Sequence, residues 1–332
     1  MSQPNVLVDS FGRRHNYLRI SVTDRCNLRC TYCMPLQGLV WKKRQELLTF
    51  EEIVRISTIF AEMGVTKIRL TGGEPMVRKG LLGLVQDLGQ IKGLTALAMT
   101  TNATLLAPYV KELQEAGMSQ LNISLDTFKP ERFSQIARQE ESVFTAVMAG
   151  IDAALKQNFA SLKINVVVMS GVNDDEILDF VTFAYKNPVN VRFIEYMPFK
   201  DNQWTNEKVV TYRDMLAMIS EHYQLSKKDD EPSAVGKDYA IVGGEGSISF
   251  ISSMSDSFCS TCNRLRLTAD GQVKSCLFYP AETNLRDAMR QGATDSQLQG
   301  MILDSLRLKP EAHPPAEEIA ASENRAMIQI GG

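Results

Sequence analysis

The sequence predicts an α/β protein: a parallel sheet wound as a partial (β/α)6 TIM-like barrel, with a C-terminal α+β extension closing its open side. Three observations predict it. Six short alternating or β-branched segments between Tyr17 and Tyr196 alternate with helical patterns, which implies parallel strands joined by right-handed crossovers. Polar residues gather at the C-terminal ends of those segments, where barrels of this kind carry their chemistry. Six units are too few to close an eight-unit barrel, and the chain from about Pro198 onward mixes weaker helices with a hairpin pattern suited to a cover.

The units follow in order. Tyr17–Val22 alternates as a strand does and leads into a cysteine loop. Thr49 and Glu52 form a capping box, Ile53, Ile56, Phe60 and Met63 mark the buried stripe of the helix it starts, and Gly64 ends that helix. Lys67–Thr71 is the second strand, followed by Gly72-Gly73-Glu74-Pro75 and a helix from about Gly80 to Ile91. Thr95–Thr101 and Leu121–Asp126 are the third and fourth strands, with a helix around Tyr109 to Ala116 between them. Phe144, Val147, Met148, Ile151 and Leu155 mark the next helix by their spacing. Leu162–Met169 is the fifth strand, Asn173 reads as the cap of a helix carrying Ile177, Phe180, Val181 and Ala184, and Val189–Tyr196 is the sixth. Beyond it, helices near 211–222 and 294–308, a polar loop at 226–236 and a hairpin turning at Asp270-Gly271 make up the extension. The expected division is an arm at 1–15, the barrel at 16–197, a C-terminal domain at 198–309 and a tail at 310–332. The Pro-, Glu- and Ala-rich start of that tail reads as mobile.

Composition narrows the function classes. A net charge of −3 and 23% charged residues in 332 provide no global field for a polyanion, so phosphate binding must come from a local cluster of Arg and Lys. No basic stretch suggests nucleic acid, no apolar run has membrane-spanning length, and no signal peptide is evident, so the chain reads as cytoplasmic. There is no Walker A loop, Rossmann fingerprint, HExxH or nucleophile elbow.

The six cysteines fall into two triplets: Cys26, Cys30 and Cys33, then Cys259, Cys262 and Cys276. Three thiolates in one loop can wrap a metal centre that keeps one position open. A Cys3His zinc site completed by His15 is one reading; an iron–sulfur cubane, whose irons present themselves at separate corners, suits the spacing better. The second triplet has no histidine beside it and suggests a second cluster with an open iron. Arg264 and Arg266 lie two apart on the strand beside it and so share a face, suited to gripping phosphate oxygens, although paired arginines on a surface strand are more often simply solvated.

Cys26-x3-Cys30-x2-Cys33, with Tyr32 before the last cysteine, resembles the radical S-adenosylmethionine enzymes. Asp24–Pro35, Arg69–Pro75, Leu121–Asp126, Arg192–Pro198, Phe258–Arg266 and the terminal Gly-Gly together resemble, over nearly the whole chain, the GTP 3′,8-cyclase family of molybdenum-cofactor biosynthesis. The resemblance implies two [4Fe-4S] clusters, one per triplet, and S-adenosylmethionine lined by Tyr32, Gly73, Ser124 and Met197. It implies GTP held by Arg19, Arg69, Thr100, Lys163, Arg192, Arg264 and Arg266, with its guanine on the free iron of the second cluster. A 5′-deoxyadenosyl radical would take H3′ from the ribose, and C3′ would attack C8. Gly331 and Gly332 would enter the active site. A low-potential donor of flavodoxin or ferredoxin type, a downstream pyranopterin-forming enzyme and a homodimer complete the implied setting. The alternatives are another radical enzyme of this kind with an auxiliary cluster, such as a peptide-modifying one, and a non-catalytic iron–sulfur sensor. One segment, Ile136–Ser142, departs from the family pattern on what reads as a connection.

Overall fold

The computed structural model describes residues 6–229, 233–281, 283–322 and 325–331. Its centre is one sheet. Strands β1 (Tyr17–Ser21), β2 (Lys67–Thr71), β3 (Ala96–Thr101), β4 (Gln120–Ser124), β5 (Ser161–Val168) and β6 (Asn190–Glu195) run parallel in that order. The extension continues the same sheet at both edges. Strand β9 (Ser247–Ile251) pairs parallel with β6 and carries the antiparallel pair β8 (Lys237–Ile241) and β7 (Leu225–Lys227). Strand β10 (Arg264–Leu267) pairs parallel with β1 and carries the antiparallel strands β11 (Gln272–Lys274) and β12 (Thr283–Asn284). The partial barrel is thus widened by strand addition on each side of its opening, and β9 and β10 are not neighbours in the sheet.

Helices α1 (Phe50–Glu62), α2 (Leu81–Gly89), α3 (Val110–Glu115), α4 (Pro130–Ala137), α5 (Glu141–Leu155) and α6 (Ile177–Lys186) follow the first five strands, with α4 and α5 sharing one crossover. The start of α1 is as expected: Thr49 Oγ1 accepts from the Glu52 amide at 3.2 Å, while Glu52 accepts from the Thr49 amide at 2.8 Å. Helices α7 (Tyr212–Ser220), α8 (Leu285–Arg290) and α9 (Asp295–Arg307) belong to the extension. One continuous core joins the outward strand residues, such as Leu18, Ile20, Ile68 and Leu70, to the helices.

Three expectations need correction. The run Asn173–Glu176 does lead into the helix, Asn173 at the cap position of a 3-10 turn (Asp174–Glu176) and Glu176 at that of α6, but neither makes a capping side-chain bond: the Asn173 side chain accepts from the Met169 amide and donates to the carbonyls of Asp126 and Val167, tying β4 to β5. Residues 130–137 form a helix that their short polar pattern conceals. Residues 310–322 and 325–331 contain the short helices α10 (Ala316–Ala321) and α11 (Met327–Ile330), and they bury Ile319, Ile328 and Ile330 against Phe199, Phe278 and Met34 instead of forming a loose tail.

Candidate active site

Strand alternation builds the lumen. Every second residue points inward, and the register sets Arg19 level with Arg69 on one side and Arg266 on the other, with Tyr17 level with Lys67 and Arg264. Arg192 lies level with Asn165 and Ser249. Barrel interiors are ordinarily filled with branched apolar side chains; this one is lined with cations. Burial, with neighbouring positive charge and against the opposing pull of Tyr17 and Asp238, brings Arg19 and Arg192 down to about 10 and Lys163 to about 8. Burial alone would raise the Tyr17 phenol, yet Arg69, Arg19 and Lys67 outweigh it and hold it at about 7. Arg69 Nε donates to Tyr17 Oη at 2.6 Å and its Nη1 to the Met99 carbonyl at 3.0 Å.

The C-terminal ends of the strands open into a cavity lined by Cys26, Cys30, Cys33, Tyr32, Gly73, Thr100, Ser124, Met197, Arg19, Arg192, Arg264 and Arg266. It also touches Asn102, Asp126, Asn165, Phe258, Leu277, Met327 and Ile328. Arg69 and Lys163 stand deeper in the lumen, outside that lining. Cys259, Cys262 and Cys276 stand behind it, while their sequence neighbours Phe258, Arg264 and Leu277 face in. Gly331 sits at the rim: its carbonyl accepts from Arg266 at 2.9 Å, its φ is +81°, and a Cβ there would lie 2.7 Å from Thr71 Oγ1. Gly332 lies outside the described residues.

The first cysteine loop is braced on all sides. The turn at 72–75 packs beneath it, with the Glu74 amide donating to the Arg25 carbonyl at 2.8 Å, and a Cβ on Gly73 would fall 2.2 Å from that same oxygen. Burial lifts the Glu74 carboxyl to about 7, and it accepts from Thr101 Oγ1 at 2.8 Å and from the amides of Asn102 and Met76. Tyr32 Oη donates to Asp126 at 2.8 Å. The divergent segment at 136–142 also holds this loop: the carbonyls of Ile136 and Ala137 accept from the amides of Thr31 and Arg29, and Gln139 donates to the Asn27 carbonyl. That contact is invisible in the sequence because it is made mainly by main-chain atoms.

All six cysteines are free thiols. Burial, with repulsion from Asp126, Cys33 and Cys26, pushes Cys30 well up, and burial, with Cys26 and Asp126, pushes Cys33 to about 12. Among the described residues no three His, Cys, Asp or Glu side chains are close enough to hold a single ion. His15, the remaining candidate for a zinc set, is buried beside Asp9, Arg13 and Lys309. Three soft donors converging on a cavity, with no carboxylate or imidazole completing the set, fit a sulfide cluster better than zinc.

Sequence reasoning missed Arg13 and Lys309. Arg13 donates to Asp9 at 2.5 Å and to the carbonyls of Cys259, Pro310 and Glu311. Lys309 Nζ lies 3.4 Å from Cys262 Sγ. A lysine just past a helix reads as an ordinary partner of the helix dipole, and nothing in the sequence distinguishes it from one.

Residues 20–184 match the radical SAM superfamily model, and residues 189–315 match the model for the molybdenum cofactor synthesis C-terminal region. The fold agrees with solved structures: Streptococcus suis SuiB (TM-score 0.59, 13% identity, 87% of this chain and 69% of that one) and anSMEcpe with bound AdoMet (0.55, 17%, 85% and 78%). Fold and cysteine loop therefore define a radical SAM protein, a class that works with a [4Fe-4S] cluster and S-adenosylmethionine.

The chain is 46% identical over 329 residues to the mitochondrial GTP 3′,8-cyclase of Arabidopsis thaliana, spanning 99% of this chain and 84% of that protein. It is 40% identical over 334 residues to the GTP 3′,8-cyclase of Peptoclostridium acidaminophilum, over the whole of both. It is also 47% identical to molybdenum cofactor biosynthesis protein 1 of Dictyostelium discoideum, of which it spans 52%. The chain thus spans about half the length of several curated relatives and nearly all of others. It belongs to the GTP 3′,8-cyclase family.

Proposed function

We propose that this protein converts GTP to (8S)-3′,8-cyclo-7,8-dihydroguanosine 5′-triphosphate, the first step of molybdenum-cofactor biosynthesis. The observation that carries this reading is the cation-lined lumen beneath the cysteine loop. Buried guanidinium groups at this density destabilise the fold unless an anion offsets them, and Arg19, Arg192, Arg264 and Arg266 share one cavity with Cys26, Cys30 and Cys33. The full-length match to cyclases supports GTP as that anion.

Cys26, Cys30 and Cys33 would hold a cluster that, with S-adenosylmethionine bound, would supply the radical chemistry. Tyr32, Gly73, Ser124 and Met197 line the position of S-adenosylmethionine, and the absent Cβ of Gly73 lets its turn pack directly against the Arg25 carbonyl of the cysteine loop. Arg19, Arg69, Lys163, Arg192, Arg264 and Arg266, with Thr100, take the nucleotide and its triphosphate, placing the ribose C3′ toward the radical. Cys259, Cys262 and Cys276 would hold a second [4Fe-4S] cluster, which would supply a binding point for the guanine. Met327 and Ile328 cover the cavity, and Gly331 orients Arg266. A flavodoxin- or ferredoxin-type donor supplies the electron, the enzyme works as a cytoplasmic homodimer, and a pyranopterin-forming enzyme takes its product. No helix is long and apolar enough to cross a membrane among the described residues.

Anaerobic protein reconstituted with iron and sulfide and given dithionite, S-adenosylmethionine and GTP is expected to form 5′-deoxyadenosine and the cyclic triphosphate together. Deoxyadenosine without consumption of GTP would overturn the substrate assignment. Absence of both, with iron fully loaded, would favour a sensor.

A further inference from the structure

We infer that Lys309 is a positioning residue of the second cysteine site: its ammonium hydrogen-bonds the Cys262 sulfur and thereby favours the reduced form of the cluster held there. This rests on the two-cluster reading above. Lys309 stands just past α9, 4% exposed, with Nζ 3.4 Å from Cys262 Sγ and 2.9 Å from the Arg264 carbonyl. Arg264 Nη2 approaches the same sulfur at 3.2 Å, so one thiolate receives two cationic donors.

An ordinary lysine at this point in a helix would turn its ammonium onto the helix's own last carbonyls or into water. Lys309 does neither, and crosses instead to the strand that carries Arg264. Its position is fixed from behind: Arg13 binds the carbonyls of Pro310 and Glu311 at 2.6 and 2.7 Å and that of Cys259 at 2.8 Å, which clamps the chain after Lys309 to the first cysteine of the triplet. Asp9 holds Arg13 in place at 2.5 Å.

The first triplet has no counterpart among the described residues. Cys26 Sγ accepts from the Leu28 amide at 3.3 Å and Asn102 Nδ2 at 3.7 Å and also from the Asn27 amide, Cys30 from Tyr32 and Cys33 from the Ile328 amide, all neutral donors. Hydrogen bonds to cluster sulfurs and nearby positive charge stabilise the added electron and raise the reduction potential. The contact at Lys309 therefore separates the two centres, making the second the easier to reduce.

The test is an EPR-monitored redox titration of the reconstituted holoenzyme and of Lys309→Met and Lys309→Arg. Added S-adenosylmethionine perturbs the first centre and so identifies its signal. Lys309→Met is expected to make reduction of the second centre about tenfold less favourable, about 59 mV for one electron, with the first centre unmoved and Lys309→Arg close to wild type. Equal potentials in wild type and Lys309→Met, or equal shifts in both variants, would overturn the inference. Should Lys309→Met fail to load, wild-type protein carrying lysine labelled with 15N at Nζ decides: a 15N coupling to the reduced second centre is expected in electron–nuclear double resonance, and its absence overturns the inference. Iron sufficient for a single cubane in the wild type would instead remove the second cluster, and this reading with it.

Discussion

The two cysteine triplets have the same ligand count and opposite surroundings. The first lies against acids: Asp126 and Glu74 add to burial in disfavouring its thiolates, and Cys26 stands at about 11. The second lies against bases: burial raises Cys276 despite Lys309 beside it, but at Cys262 Arg264 and Lys309 outweigh burial and bring the thiol down to about 6. Counting ligands treats the triplets as equivalent. The residues around them differ, and under the proposed function that difference would suit an electron source in one case and an anchor among cations in the other.

The largest effect expected from this contrast is an all-or-none one. Replacing Cys30 by Ser should abolish deoxyadenosine formation while leaving the second centre's iron, whereas Cys276→Ser should spare cleavage of S-adenosylmethionine and abolish cyclic product; iron analysis and mass spectrometry separate the two. Loss of both activities in Cys276→Ser would show that the centres are not independent.

In iron-free protein the thiols should differ by orders of magnitude. At pH 7 Cys262, brought down to about 6, should be largely thiolate, whereas Cys33, pushed up to about 12, should stay a thiol. Iodoacetamide followed by peptide mapping should label Cys262 first, and its rate should fall as pH drops through about 6. Equal labelling of both triplets would erase the distinction.

Arg264→Ala removes one charge-assisted grip, worth roughly 1.5–3 kcal/mol, so the KM for GTP should rise roughly 10- to 100-fold with the first centre's spectrum unchanged. Gly73→Ala drives a Cβ into the Arg25 carbonyl and should cost about 1–3 kcal/mol, read as a fall in Tm with weaker binding of S-adenosylmethionine. The smallest effect is expected at Tyr17. Its folded value of about 7 lies below the ordinary phenol value near 10, so its pairing with Arg69 adds stability that is complete above about 10 and lost as pH falls through about 7. Tyr17→Phe should remove a tyrosinate absorption step near pH 7, and its Tm deficit should grow with pH.

Much of this was legible in the sequence because it is written in periodicities. The alternation of Tyr17, Arg19 and Ser21 against Leu18 and Ile20 defines an inward polar face, and the Thr49–Glu52 box marks a helix start. Six such units already imply the sheet order. What stayed hidden depends on contacts between distant backbone segments. The edge positions of β9 and β10 follow from hydrogen bonds that no local pattern encodes, and so does the grip of Ile136 and Ala137 on the cysteine loop. Apolar residues in a Pro- and Glu-rich setting concealed the packed tail, since Ile319 and Ile328 find their partners only once both cysteine loops are in place.

The pairing of β1 with β10 also bears on how the chain is made. Tyr17 emerges from the ribosome early, and its partner Arg264 comes only after the whole barrel. One edge of β1 therefore waits, unpaired, through most of translation, a state prone to mispairing with another nascent chain. Contacts this far apart in sequence fold slowly, and the lumen's cations acquire their final arrangement only when that last parallel strand docks. The segment carrying Cys262 thus reaches its place beside β1 only when the sheet closes.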